Sequence, residues 1–105
     1  RIPVETGHSE SVYVEIENGS PTAEDIKSLF NDADGVILRD RPEGQLYPMA
    51  VDAVGHNDVF VGRIRQDLDR KNGFHLWVVS DNLLKGAAWN SIQIAETMLE
   101  RGLLK

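Results

Sequence analysis

The sequence predicts an α+β fold: a mixed, largely antiparallel sheet of about four strands, covered by helices. Three observations lead there. Ser11–Glu17 alternates apolar and polar residues and is followed by a helical stripe. Asp58–Gln66 and Phe74–Ser80 are strand-like runs separated by a short polar connection, the pattern of a hairpin. The last quarter of the chain carries apolar residues at helical spacing.

In chain order, Val12, Val14 and Ile16 fall on one face of the first strand and Tyr13, Glu15 and Glu17 on the other. One buried face suits an antiparallel or mixed sheet. Asn18-Gly19-Ser20 is a turn, after which Ser20 is positioned to cap a helix opening at Pro21. Glu24 and Asp25 fall in its first turn, where the helix dipole favours negative charge. Ile26, Leu29, Phe30 and Ala33 form its apolar stripe, Gly35 ends it, and Val36–Arg39 reads as a second strand.

Residues 40–57 show no period and are punctuated by Pro42, Gly44, Pro48 and Gly55. So long a loop is expected to be functional or to cover an interface. In Asp58–Gln66, strict alternation places Phe60, Gly62 and Ile64 on one face and Val59, Val61, Arg63 and Arg65 on the other. Two cations on one face suit an anion, a subunit interface or a solvated surface. Phe74–Ser80 is the most apolar strand, polar only at His75 and Ser80, and is expected mid-sheet. Asp81 and Asn82 offer caps for a final helix with Leu84, Ala87, Ala88, Ile92, Ala95 and Leu99 as its stripe and Gly102 at its end.

A chain of 105 residues makes at most one domain. Its net charge of −6, with no basic patch, argues against nucleic-acid binding. No apolar run approaches the length of a membrane span, and no signal-peptide pattern opens the chain. Cysteine is absent, which excludes disulfides, thiolate metal sites and a thiolate nucleophile within these residues. A cytoplasmic location is the expectation.

The first ten residues hold the densest chemistry. Arg1 and His8 are seven apart, so in one unbroken strand they would point to opposite faces, roughly 23 Å from each other. They can serve one small substrate only if the chain bends, and Glu5-Thr6-Gly7 is where it can. His8 suits acid–base work near neutral pH and equally suits a structural role. Arg1 is either a solvated terminal residue or a fork for a carboxylate. Glu10 makes a His-x-Glu pair with His8, a poor metal site without further ligands, so no metal is expected. Asn82 is a helix cap or a ligand contact, and the two roles are compatible. Gly86-Ala87-Ala88 offers a small-residue face for helix packing or for a ligand. His56 and His75 carry no motif.

Arg1–Glu10, together with Asp58–Arg65, Trp77–Asn82 and Leu83–Asn90, resembles bacterial aspartate-semialdehyde dehydrogenases. The likeness runs in the family's order over nearly the whole chain and is least specific from Glu17 to Pro48. Full-length members are much longer, and the chain opens on Arg rather than Met, so the expectation is a fragment: the C-terminal part of such an enzyme. The resemblance implies the catalytic and dimerisation domain of a glyceraldehyde-phosphate-dehydrogenase-like enzyme. Residues 1–80 would belong to that domain. Residues 81–105 would be a terminal helix packed on a missing nucleotide-binding domain. It implies His8 as general acid/base, Arg1 as the substrate-carboxylate ligand and Asn82 as a contact to the nicotinamide end of NADP. It also implies a homodimer or tetramer, a small-molecule substrate, and a place in lysine, threonine, methionine and diaminopimelate biosynthesis. The family's cysteine and glycine-rich dinucleotide loop are missing here, so no cofactor and no turnover are expected of these residues alone. A related reductase, such as N-acetyl-γ-glutamyl-phosphate reductase, and a non-catalytic dimerisation module are the alternatives.

Overall fold

The computed structural model describes residues 3–103. Among these residues, four strands form one sheet: β1 (His8–Glu15), β2 (Val36–Leu38), β3 (Val59–Gln66) and β4 (Gly73–Ser80). Their order is β1-β4-β3-β2. β4 is antiparallel to both neighbours, whereas β2 runs parallel to β3. The mixed sheet, the β3–β4 hairpin and the central place of β4 all follow the sequence pattern.

One face of the sheet is covered by α1 (Ala23–Asn31), whose Ile26 and Phe30 pack with Val12, Val14, Val61, Ile64 and Leu76. The cap differs from expectation. Thr22, not Ser20, caps α1 in a reciprocal box with Asp25, so Pro21 lies outside the helix. Leu29 is exposed, so the buried stripe is narrower than the periodicity implied.

The opposite face is built from residues 48–53, within the stretch that shows no period in the sequence. α2 (Ala50–Ala53) seats Ala50 and Ala53 against Phe60 and Val79, with Ile37 and Trp77 at the margin. Pro48 is buried and its carbonyl accepts the Trp77 indole N–H at 3.1 Å. An Arg39–Asp52 pair at 2.7 Å ties this segment to the end of β2. Periodicity could not reveal so short a helix, because four residues complete barely one turn.

β3 departs from strict alternation. Its pairing with β4 shifts between Gly62 and Arg65, and Arg63 has a left-handed φ of 53°. The extra residue turns Ile64 onto the face of Val61, not that of Phe60 as alternation predicted. Arg63 and Arg65 instead border the face that carries Trp77. The Asp40 carboxylate stabilises this bulge by accepting the backbone N–H groups of Arg63 and Ile64, each at 3.0 Å.

After β4 the chain makes a π-helical turn (Leu84–Ala88) before α3 (Trp89–Glu100). A π turn adds a residue to the helical repeat. It breaks the single stripe expected from Leu84 to Leu99, and no α3 residue is buried. Gly102, at φ 65°, closes the helix as expected, with the Leu103 N–H donating to the Met98 carbonyl.

Candidate functional site

β1 begins earlier than the alternating run suggested, so His8 is its first residue and pairs with Ser80 at the end of β4. The bend expected at Glu5-Thr6-Gly7 is present, with Gly7 at φ 97°. An L side chain rarely adopts that φ, and a Cβ on Gly7 would also touch the Ala50 Cβ at 3.4 Å and the Ser80 carbonyl at 3.5 Å. Three segments therefore meet at this glycine: the chain before β1, α2, and the end of β4.

Asn82 closes the junction. Its Oδ1 accepts the Gly7 N–H at 2.8 Å, across 75 residues of sequence. That donor can only be met by the oxygen, which fixes the carboxamide's orientation. The Nδ2 has no partner among the described residues. Val4, Glu5, Gly7, His8, Ser9, Glu10 and Asn82 line an open cleft of about 500 Å³, with the imidazole exposed on its wall. The fold thus brings His8, Glu10 and Asn82 together. Arg1 lies outside the described residues.

Asp81 is buried and supports this arrangement. One carboxylate oxygen accepts Leu83 N–H at 2.8 Å and Leu84 N–H at 3.2 Å, and the other accepts Gly55 N–H at 2.9 Å. These backbone donors, led by Gly55, hold its carboxyl below the usual aspartate range. The sequence marked Asp81 as a helix cap. Its grip on Gly55 has no local signal, because the two are 26 residues apart. Sequence reasoning missed Asp40 and its bulge for the same reason.

A second cleft, of about 640 Å³, adjoins the first through Val4 and Ser9. Tyr47, Pro48, Met49 and Trp77 give it an apolar floor, and Arg63 and Arg65 border it. His75 and His56 lie elsewhere. His75 pairs with Asp67 at 2.7 Å and packs against Tyr13, while His56 meets Phe60 edge-on. Among the described residues, no three His, Asp or Glu side chains converge on a metal position.

An open mixed sheet in an α+β domain thus brings an imidazole and a carboxamide to one cleft at its strand ends. The family model described as semialdehyde dehydrogenase, dimerisation domain, matches residues 1–85, and the chain belongs to that family. It is similar to the aspartate-semialdehyde dehydrogenase of Bacillus subtilis, 68% identical over 99% of this chain and 30% of the relative. The Legionella pneumophila enzyme is 49% identical over 100% of this chain and 30% of its own length. Among solved structures, aspartate semialdehyde dehydrogenase II from Vibrio cholerae matches with a TM-score of 0.84 at 40% identity, covering 95% of this chain and 29% of that one. The Candida albicans enzyme, solved with NADP, matches at 0.73 and 27% identity, covering 99% and 33%. The chain corresponds to the C-terminal part of such enzymes and spans about 30% of the curated relatives it matches. These likenesses do not favour the related reductase.

Proposed function

We propose that these residues form the C-terminal part of an NADP-dependent aspartate-semialdehyde dehydrogenase. The whole protein would interconvert L-aspartate 4-semialdehyde, phosphate and NADP with 4-aspartyl phosphate and NADPH, on the route to lysine, threonine and methionine. The carrying observation is the cleft itself: within the matched family segment, the Asn82–Gly7 bond sets His8 beside a carboxamide at the end of the sheet.

His8 is the general acid/base in this reading. It stands exposed at the cleft wall, free to take the hydroxyl proton of a thiohemiacetal formed on a cysteine from another part of the protein. Arg1 would fork onto the substrate carboxylate, holding both oxygens at once. Asn82 has spent its oxygen on Gly7 and keeps its Nδ2 for a ligand acceptor. That NH₂ group fits the carbonyl oxygen at the carboxamide end of a nicotinamide. NADP when bound would supply the hydride acceptor. The sequence holds no glycine-rich loop for its phosphates, so another segment would bind them. The same reading divides the chain at residue 80, with 81–105 packing on a nucleotide-binding domain. Exposed Ile92, Ile94 and Leu99 on α3 support that division. A cytoplasmic location accords with this biosynthetic role.

In the full-length protein, His8→Asn is expected to lower kcat by about 10²–10⁴-fold with little change in substrate KM. Arg1→Ala is expected to raise KM most, and Arg1→Lys to recover little. Steady-state kinetics of NADP reduction with aspartate semialdehyde and phosphate decide the matter. An unchanged kcat in His8→Asn would overturn the assignment.

A further inference from the structure

We propose that Asp81 is a positioning residue for His8, acting through the Asn82 carboxamide and the Gly7 backbone, and that it couples the cleft to the Pro48–Gly55 segment. The link to catalysis rests on the function proposed above, but the mechanical coupling does not.

The connection is continuous. The Asp81 carboxylate is buried and accepts three backbone N–H groups, two at the start of the final helical segment and one from Gly55. Fixing Leu83 and Leu84 fixes the backbone that carries Asn82. Asn82 in turn holds Gly7 N–H, and Gly7 is the residue before His8. The Gly55 bond ties the same carboxylate to the loop closing α2, whose Ala50 lies against Gly7. Movement of the α2 segment would therefore reach His8 through the Asp81–Asn82–Gly7 chain. A carboxylate suits this junction because every partner is a donor. A carboxamide in its place would turn an NH₂ group toward a backbone N–H.

Amide hydrogen exchange on the 105-residue chain tests the coupling. Asp81→Asn should lower protection of both the Gly7 and Gly55 amides by about tenfold, the equivalent of one lost hydrogen bond. The Arg39 amide, bonded to the Val61 carbonyl in the sheet, should stay within about twofold. Asn82→Ala should release Gly7 and leave Gly55 unchanged. If Asp81→Asn frees Gly55 but not Gly7, Asp81 is only a cap and the proposal fails. Should that variant not fold, the wild-type chain in low denaturant supplies the reading. Gly7, Gly55 and Leu83 should open as one unit, and independent opening would overturn the coupling. In the full-length protein, Asp81→Asn should reduce kcat about tenfold with KM for aspartate semialdehyde within about twofold. If exchange changes and kcat does not, the positioning role is wrong. If instead His8→Asn leaves kcat intact, it is the function that fails, and the exchange results still stand.

Discussion

Individual residues here are chosen for what backbone comes near them. Gly62 is the sharpest case. A Cβ at this position would collide with the Arg39 carbonyl oxygen and lie 2.6 Å from Pro48 Cδ. Sequence alternation could only place it between Phe60 and Ile64. The structure shows that the chain leaving β2 crosses directly over it. Gly62→Ala is expected to destabilise the domain by about 3 kcal/mol, the upper end of ordinary overpacking, because backbone rather than a mobile side chain must give way. Chemical denaturation measures this. A midpoint shift within error would mean that the Arg39–Asp40 segment is free to move. Asp40 belongs to the same crossing. Its nearly inaccessible side chain meets the bulge N–H groups, with Lys27 at 3.6 Å as its counter-ion.

At the level of elements, the β3–β4 hairpin is closed by charge as well as by register. Asp67 accepts the N–H groups of Asp69 and Arg70 in the connection and pairs with His75 on β4. The His75 bond, more than the backbone bonds, holds the Asp67 carboxyl below its ordinary value. A carboxyl with a depressed folded-state pKa adds stability above its unfolded pKa, near 4, and loses it as pH falls through the folded value. Asp25, held low by Thr22, and Asp81 act with the same sign. Asp67→Asn should therefore lower the denaturation midpoint at pH 7 and flatten part of its decline below about pH 4. Denaturant titrations from pH 7 to pH 2.5 test this. Parallel wild-type and variant curves would show that Asp67 contributes no linkage.

For the molecule as a whole, the decisive feature is the asymmetry of cover. α1 closes one face of the sheet, while among the described residues the other is covered by the four residues of α2 and the loop around Pro48. The cleft bordered by Trp77, Met49, Arg63 and Arg65 stays open on that side. The family is described as a dimerisation domain. We propose that this face, with β3 and β4 beneath it, meets a second copy. Light scattering at high micromolar concentration should give a dimer or larger species. Trp77→Ala, which removes a large anchor, should shift the equilibrium to monomer. A strictly monomeric wild-type chain would refute the surface.

What the sequence determined by itself was whatever depends on neighbours in the chain. Val12 and Val14 alternating with Tyr13 made β1, Ile26 and Phe30 marked the buried side of α1, and Gly7 before His8 announced the bend. Each is a local periodicity or a local conformational freedom, so ten residues suffice to show it. The resemblance likewise pointed to the family through short blocks. Tertiary structure decided what depends on partners far away. Arg63 left the alternating pattern because Asp40, 23 residues earlier, could satisfy a bulge. Ala50 and Ala53 became core because Phe60 and Val79 lay beneath them. Asn82 reached the cleft of His8 because antiparallel pairing of β1 with β4 sets the start of β1 beside the end of β4. A hydrogen bond across 75 residues leaves no trace in any window of sequence, since neither partner constrains the identity of its neighbours.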